Sequence, residues 1–223
     1  MKLRIALYAL IICCTATTPS FALLVGASGT GVMGNLVSGM NLDNGQFEHN
    51  NQVWAFSEAQ SVYVSSGQVY VDYLIDGSEG QLAGVKESNS GLTLQEGYYS
   101  STLLHFDPVG DNGGSVKLAT FTFDSAITAI IVGTEYLNAS DQLLGISGVT
   151  YNTDFDRRTE PWLDLFTVNG NQLTIDLFST GLGYMDEMRV LVDPPAPAPV
   201  PEPSTVVLLG AGLLGLAWFK RRS

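Results

Sequence analysis

A few groups of residues in this chain have types and spacings that could do chemistry. Gly29, Gly31 and Gly34 follow the apolar run Leu23-Leu24-Val25 at the G-x-G-x-x-G spacing of a dinucleotide-binding loop. That chemistry needs a helix N-terminus directly after the loop, cradling pyrophosphate inside a βαβ unit. Residues 35–45 instead hold Gly39, Asn44 and Gly45, and no crossover helices follow. Residues 23–52 therefore read as a flexible, Gly-rich lead with no cofactor. Asp107, Asp111 and Asn112 crowd one Gly/Pro-rich loop, and Asp154 with Asp156 crowd another. Hard oxygen donors on a tight turn suit a structural Ca²⁺ ion, and the plainer reading of each loop is a solvated turn. His105 alternates with Leu104 and Phe106, which places it on a strand face rather than as a general base. His49 is the only other histidine, so neither a three-ligand zinc site nor a Ser/His/Asp triad is supported. No catalytic residue is assigned. Trp54, Tyr63, Tyr70, Tyr73, Tyr98, Tyr99 and Trp162 could offer flat faces to sugar rings. Strand aromatics mostly pack in or beside a core. Trp162, next to Pro161 in a polar loop, is the best-placed glycan contact.

The elements that would position these groups are constrained by composition. The chain has 223 residues, 45% of them apolar and 14% charged, and a formal net charge of -12. Five of the ten basic residues (Lys2, Arg4, Lys220, Arg221, Arg222) lie at the extreme ends. Between Leu23 and Asp193 only Lys86, Lys117, Arg157, Arg158 and Arg189 stand against 21 acidic residues. So acidic a surface repels phosphate backbones, which argues against a nucleic-acid partner. With 24 Gly and few charges the middle suits one loop-rich folded domain rather than a disordered acidic tail.

The two ends read as addresses. Residues 1–22 have the layout of a secretory signal: a basic start at Lys2 and Arg4, an apolar run over 5–14, then Pro19-Ser20-Phe21-Ala22. Signal peptidase is expected to cut after Ala22. Lipoprotein processing at Cys13 or Cys14 is disfavoured by the bulky Ile12. Both cysteines lie in this segment, so the mature chain would have no disulfide and no thiol chemistry. Residues 194–204 hold six of the nine prolines and form a stiff polyproline spacer. Residues 205–219 are uncharged and precede Lys220-Arg221-Arg222. Fifteen helical residues cover about 22 Å of a hydrocarbon core about 30 Å thick, so this transmembrane helix is short. It would cross with local thinning or snorkelling, with the basic end cytoplasmic.

Val200-Pro201-Glu202-Pro203-Ser204, the short apolar helix and the basic terminus together resemble a PEP-CTERM sorting signal. The resemblance implies an exported protein that a membrane-embedded exosortase cleaves near Pro201-Glu202-Pro203. Product release or transfer to the cell surface follows, in bacteria that make extracellular polysaccharide.

The middle reads as sheet. Candidate strands are 53–64, 68–75, 98–106, 116–123, 127–133, 172–178 and 188–192, with Ser65-Ser66-Gly67 suggesting a hairpin between the first two. Leu173, Ile175 and Leu177 share one face, as do Met188, Val190 and Val192 with Arg189 opposed. Only 139–144 looks helical. Short strands with turns every 8–12 residues indicate an all-β, antiparallel sandwich or jelly roll over 53–193. Leu104-His105-Phe106-Asp107-Pro108-Val109-Gly110 and Leu137-Asn138-Ala139-Ser140-Asp141 are similar to an uncharacterised group of exported bacterial β proteins that carry the same tail. The expectation is a structural or adhesive surface component rather than an enzyme. Its alternatives are a carbohydrate-binding module for exopolysaccharide and, third, a glycan-active enzyme.

Overall fold

Period-two alternation of buried and more exposed residues runs through 165–169 and 172–178 and gives those strands one core face, whereas 99–106 and 186–192 are buried on both sides. A computed structural model describes residues 24–193 apart from 44, 84–87, 111, 156–157, 159–163 and 182–184. The expected signal segment, Pro-rich linker, sorting motif and transmembrane helix lie outside the described residues. Among those described, no helix is long and apolar enough to cross a membrane.

One sheet has five strands in the order β1 (Leu24–Ser28), β11 (Asn112–Phe123), β15 (Gln172–Gly181), β14 (Leu165–Asn169), β8 (Ser78–Ala83). The other runs β2 (Gly31–Gly34), β4 (Val53–Ser57), β10 (Gly97–Phe106), β16 (Asp186–Val192), β12 (Ile127–Ile131), β7 (Tyr73–Leu74), and β5 (Val62–Val64) also pairs with β10. Two short ribbons complete the strands: β3 (Asn41–Leu42) with β13 (Thr150–Tyr151), and β6 (Tyr70–Val71) with β9 (Leu92–Thr93). The described residues are mostly β, as expected, with one helix, α1 (Thr134–Leu144), among them. Pairing is antiparallel except at β2–β4 and β3–β13, which are parallel.

Both large sheets feed one buried cluster. Phe121, Phe123, Phe166, Leu173 and Ile175 come from the first sheet, and Ala55, Leu104, Phe106, Ile130, Met188 and Val190 from the second. Two sheets sharing one core is the arrangement of a sandwich. At roughly 1.5–3 kcal/mol for each large apolar side chain removed from water, this layer is the main source of stability.

The reverse face of the seven-stranded sheet is covered as well. There α1 and the β6–β9 ribbon bury Val71, Leu94, Ala129, Ile131, Leu137, Leu144 and Leu191. The segment around β3 and β13 buries Leu36, Leu42, Phe56 and Leu103. Leu191 and Ala129 alternate with core-facing Val190 and Ile130, so this sheet is apolar on both sides.

Three expectations are corrected. The 53–64 and 68–75 runs do not pair as a hairpin. The first breaks at Glu58 into β4 and β5, and the second at Asp72 into β6 and β7. Both break points are buried carboxylates with partners to bind. The helix begins at Thr134 rather than 139. Its N-cap, Gly133, has no side-chain cap, and the Asp72 carboxylate instead accepts from the Val132 and Gly133 N–H groups at 2.8 and 2.9 Å. No local capping residue marks this start, because the acceptor comes from another strand. The Gly-rich lead is not a loose segment either. It supplies β1 to one sheet and β2 to the other, with Gly29 and Thr30 as the turn between them. No helix follows the three glycines, so the dinucleotide loop is not formed.

Candidate functional site

The densest group of chemically active side chains lies on the reverse face of the seven-stranded sheet. On β16, Met188, Val190 and Val192 enter the sandwich core, which sends Glu187 and Arg189 to the other side. On β10, Leu104 and Phe106 face the core, which sends His105 and Ser101 to that side too. Register places His105 opposite Glu187 and Leu103 opposite Arg189.

Arg189 holds Glu58 with two parallel bonds, Nε to Oε2 at 2.7 Å and Nη2 to Oε1 at 2.8 Å. Its Nη2 also donates to Asp141 Oδ1 at 2.9 Å and its Nη1 to the Leu137 carbonyl at 3.2 Å, both on α1. Arg158 grips the same Asp141 through Nη1 and Nη2 at 2.7 and 3.0 Å, and Glu187 Oε2 through Nε at 2.6 Å. The chain of contacts ends at His105, whose Nδ1 lies 3.0 Å from Glu187 Oε1. The Tyr151 ring lies 5.7 Å from both guanidinium carbons. Ser101 adds a hydroxyl donor to Glu58 at 2.6 Å.

Both arginines and His105 are 0% exposed, and the Asp141 side chain is 14% exposed. Charges survive such burial only when paired and hydrogen-bonded on every side, as they are here. Burial opposes the charge on Glu187, but Arg158 and then His105 hold its carboxyl below the usual carboxylate range. Burial is also the main influence on Tyr151, and with Glu58 it pushes the phenol far above its ordinary value.

His105 faces two acceptors, the Glu187 carboxylate and, through Nε2 at 3.1 Å, the Gln46 carbonyl. A neutral imidazole has one N–H and would leave a lone pair against one of those oxygens. Both nitrogens must therefore carry protons. Burial resists this, but the Glu187 bond, the Glu187 and Asp107 charges and the Gln46 carbonyl together raise the pKa above 6.5. The stabilisation is complete below the unfolded value of about 6.5 and is lost as pH rises through the higher folded value. Nitrogen NMR near pH 7 should find both ring nitrogens protonated, and His105→Gln should remove the corresponding alkaline loss of stability. An imidazole titrating at or below its ordinary value would refute the assignment.

The second nitrogen of His105 is also engaged, by the Gln46 carbonyl. His105 has no hydroxyl or thiol on its second nitrogen, and its ring packs 6.4 Å from Phe56 under the Gln46 segment. Two shallow pockets lie nearby. One of about 300 Å³ is lined by Asp141, Gln142, Ile146 and Tyr151 among others, and one of about 520 Å³ by Asp43, Tyr151, Asn152 and Asp154 among others.

The expected site residues are scattered. Asp107 is buried rather than solvated, and its Oδ2 accepts from the Gly45 N–H at 2.7 Å. Burial raises its pKa, against the Gly45 bond and His105, which lower it. Asp111, the Asn112 side chain, Asp156 and Trp162 lie outside the described residues. Among the described residues no three His, Cys, Asp or Glu side chains are grouped to hold a metal ion. His49 is half-buried, and its Nδ1 accepts from the Asn51 N–H at 3.3 Å. Of the aromatics, Tyr99 is buried, Trp54 and Tyr73 are half-buried, and Tyr63, Tyr70 and Tyr98 are exposed. The charged network itself was missed. Arg189 opposed to an apolar strand face was its one visible signal, and its partner Glu58 lies 131 residues away.

Residues 199–222 match the PEP-CTERM protein-sorting motif. The tail is a PEP-CTERM sorting signal. The motif indicates an exported protein that exosortase processes at this tail. No curated protein and no solved structure matches the chain, and the likeness read in its central residues has no support from them.

Proposed function

We propose that this PEP-CTERM protein is a non-catalytic structural or adhesive component of the cell surface or its polysaccharide matrix. The observation that carries this reading is the use made of its reactive side chains. Arg158, Arg189, Glu187 and His105 are buried and bonded to one another, fastening α1 and the loops to the sheet instead of facing a cleft. A glycan-active enzyme would want two carboxylates flanking an open groove about 5–10 Å apart. The second reading, a carbohydrate-binding module, is favoured by the tyrosines left exposed on β5, β6 and β10.

Processing tests the export half of the proposal. Signal peptidase should remove residues 1–22 after Ala22. Exosortase should remove the apolar segment beyond Pro201, Glu202 and Pro203. Intact mass of protein recovered from the surface or medium should then lack both segments. A mature species still ending in Lys220-Arg221-Arg222-Ser223 would overturn exosortase processing and leave a plain membrane anchor. A strain deleted for the protein should shed matrix polysaccharide or lose attachment, and unchanged cohesion and attachment would overturn the structural role.

A further inference from the structure

We infer that the ribbon of residues 62–71 and 92–99 is a binding platform for a neutral polysaccharide chain. The inference deepens the carbohydrate-binding reading and names the site at which it would operate. The two segments run antiparallel: Val62 to Tyr99, Tyr63 to Tyr98 and Val64 to Gly97, then Tyr70 to Thr93 and Val71 to Leu92. Between these stretches the Leu94 N–H donates to the Val69 carbonyl at 2.9 Å, which makes the ribbon continuous. Val64, Val69, Val71, Leu94 and Tyr99 all enter the buried cluster beneath α1. Alternation then turns Tyr63, Tyr70 and Tyr98 outward, and they remain 46%, 47% and 56% exposed.

These rings are fixed before any ligand arrives. Tyr63 and Tyr98 pack edge to face with centroids 5.3 Å apart, and the Tyr63 hydroxyl donates to the Glu96 carboxylate. Tyr70 packs against Tyr136 of α1 at 5.4 Å, and the Tyr136 hydroxyl accepts from the Gly91 N–H at 3.4 Å. Ordered tyrosines give large, amphipathic contact area with little further loss of side-chain entropy. Two ring pairs along one ribbon suit an extended polymer better than a compact ligand.

The chemistry selects among polymers. Flat rings could receive nucleic-acid bases or the apolar faces of sugars. Residues 62–71 and 92–99 contain no lysine or arginine and carry Glu96, within a chain of net charge -12. Among these residues phosphate has no cation to meet, and Glu96 repels anionic polymers. A neutral sugar chain avoids both problems. Its ring faces stack on the tyrosines, and its hydroxyls meet phenols, the exposed Gln68 and Gln95 amides and Glu96.

The test is affinity electrophoresis of the purified mature protein through native gels containing hydroxyethylcellulose, dextran or galactomannan, with alginate as the anionic comparison. At least one neutral polymer should retard the protein and alginate should not. The double variant Tyr63→Ala/Tyr98→Ala should bind about tenfold more weakly, as truncation of aromatic anchors does, and so should Tyr70→Ala. Tyr98→Phe should keep most of the binding, and melting temperatures should stay close to wild type because the rings are exposed. Absence of retardation by every neutral polymer, or wild-type retardation of the double variant, would overturn the proposal. Self-association abolished by Tyr98→Ala without any retardation would make the ribbon a contact between copies and also overturn it. Purified protein is used throughout, so the result is independent of the processing and deletion experiments.

Discussion

Replacing Arg189 by alanine should cost the domain about 3–5 kcal/mol, because it leaves the buried Glu58 carboxylate without its cation. Glu58 would lose both of its parallel bonds, and Asp141 would keep only Arg158. The Leu137 carbonyl, held at 3.2 Å, would lose a donor at a place water does not reach. Domain stabilities are commonly about 5–15 kcal/mol, so about a fifth or more would go at once. The melting temperature should fall by roughly 10 °C, at about 2–4 °C per kcal/mol for a domain of this size. An exposed arginine would give a change within about 0.5 kcal/mol, and a result of that size would refute the buried network.

A cycle with Glu58 tests the pairing itself. Glu58→Ala alone strands the guanidinium, and the double variant removes both charges. The double loss should therefore fall short of the sum of the single losses by about 1 kcal/mol or more. Strict additivity would mean that the two residues act independently. Asp141 bridges both arginines, so it is expected to couple to Arg158 and Arg189 alike.

How much of this was legible in the sequence differs from element to element. β15 and β16 were clear because period-two patterning sends Leu173, Ile175, Val190 and Val192 to one face. Arg189 stood out on the opposite face by the same rule. What patterning could not reveal was a second buried face, since a charged residue opposite a core strand ordinarily meets water. The breaks at Glu58 and Asp72 were hidden in apolar runs for a related reason. Each carboxylate leaves its strand to bind a distant group, Arg189 for one and the amides before α1 for the other. The helix start was invisible because its capping acceptor is tertiary. Sheet content follows from local sequence, whereas the charged seam depends on pairs separated by up to 131 residues.

The same limit explains the three N-terminal glycines, and their replacement makes the second large prediction. Gly29 has φ +66°, and a Cβ there would lie 2.2 Å from the Leu118 carbonyl oxygen. Leu118 is itself held at φ 55° in the bulge of β11, so this backbone has little room to retreat. Gly29→Ala should combine left-handed strain of about 1–2 kcal/mol with overpacking of about 1–3 kcal/mol, a total near 3 kcal/mol. Gly34→Ala should also be costly, because its Cβ would come within 2.3 Å of the Phe56 ring. That ring is wedged at 5.0 Å from Phe47 and 6.2 Å from Trp54. Two comparisons isolate the cause. Gly39 has φ +91° with nothing within 4 Å of its Cβ position, so Gly39→Ala reports strain alone, about 1–2 kcal/mol. Gly26 lies in β1 with its nearest neighbour at 4.0 Å, so Gly26→Ala should change stability by less than about 0.5 kcal/mol. Denaturant midpoints should thus rank Gly29 below Gly39 and Gly39 below Gly26. Equal losses at Gly29 and Gly39 would remove the Leu118 contact from the explanation. A melting temperature raised by NAD would revive the phosphate loop. Otherwise the spacing of Gly29, Gly31 and Gly34 records where one strand turns from the first sheet into the second, close against Leu118, Phe121 and Phe56.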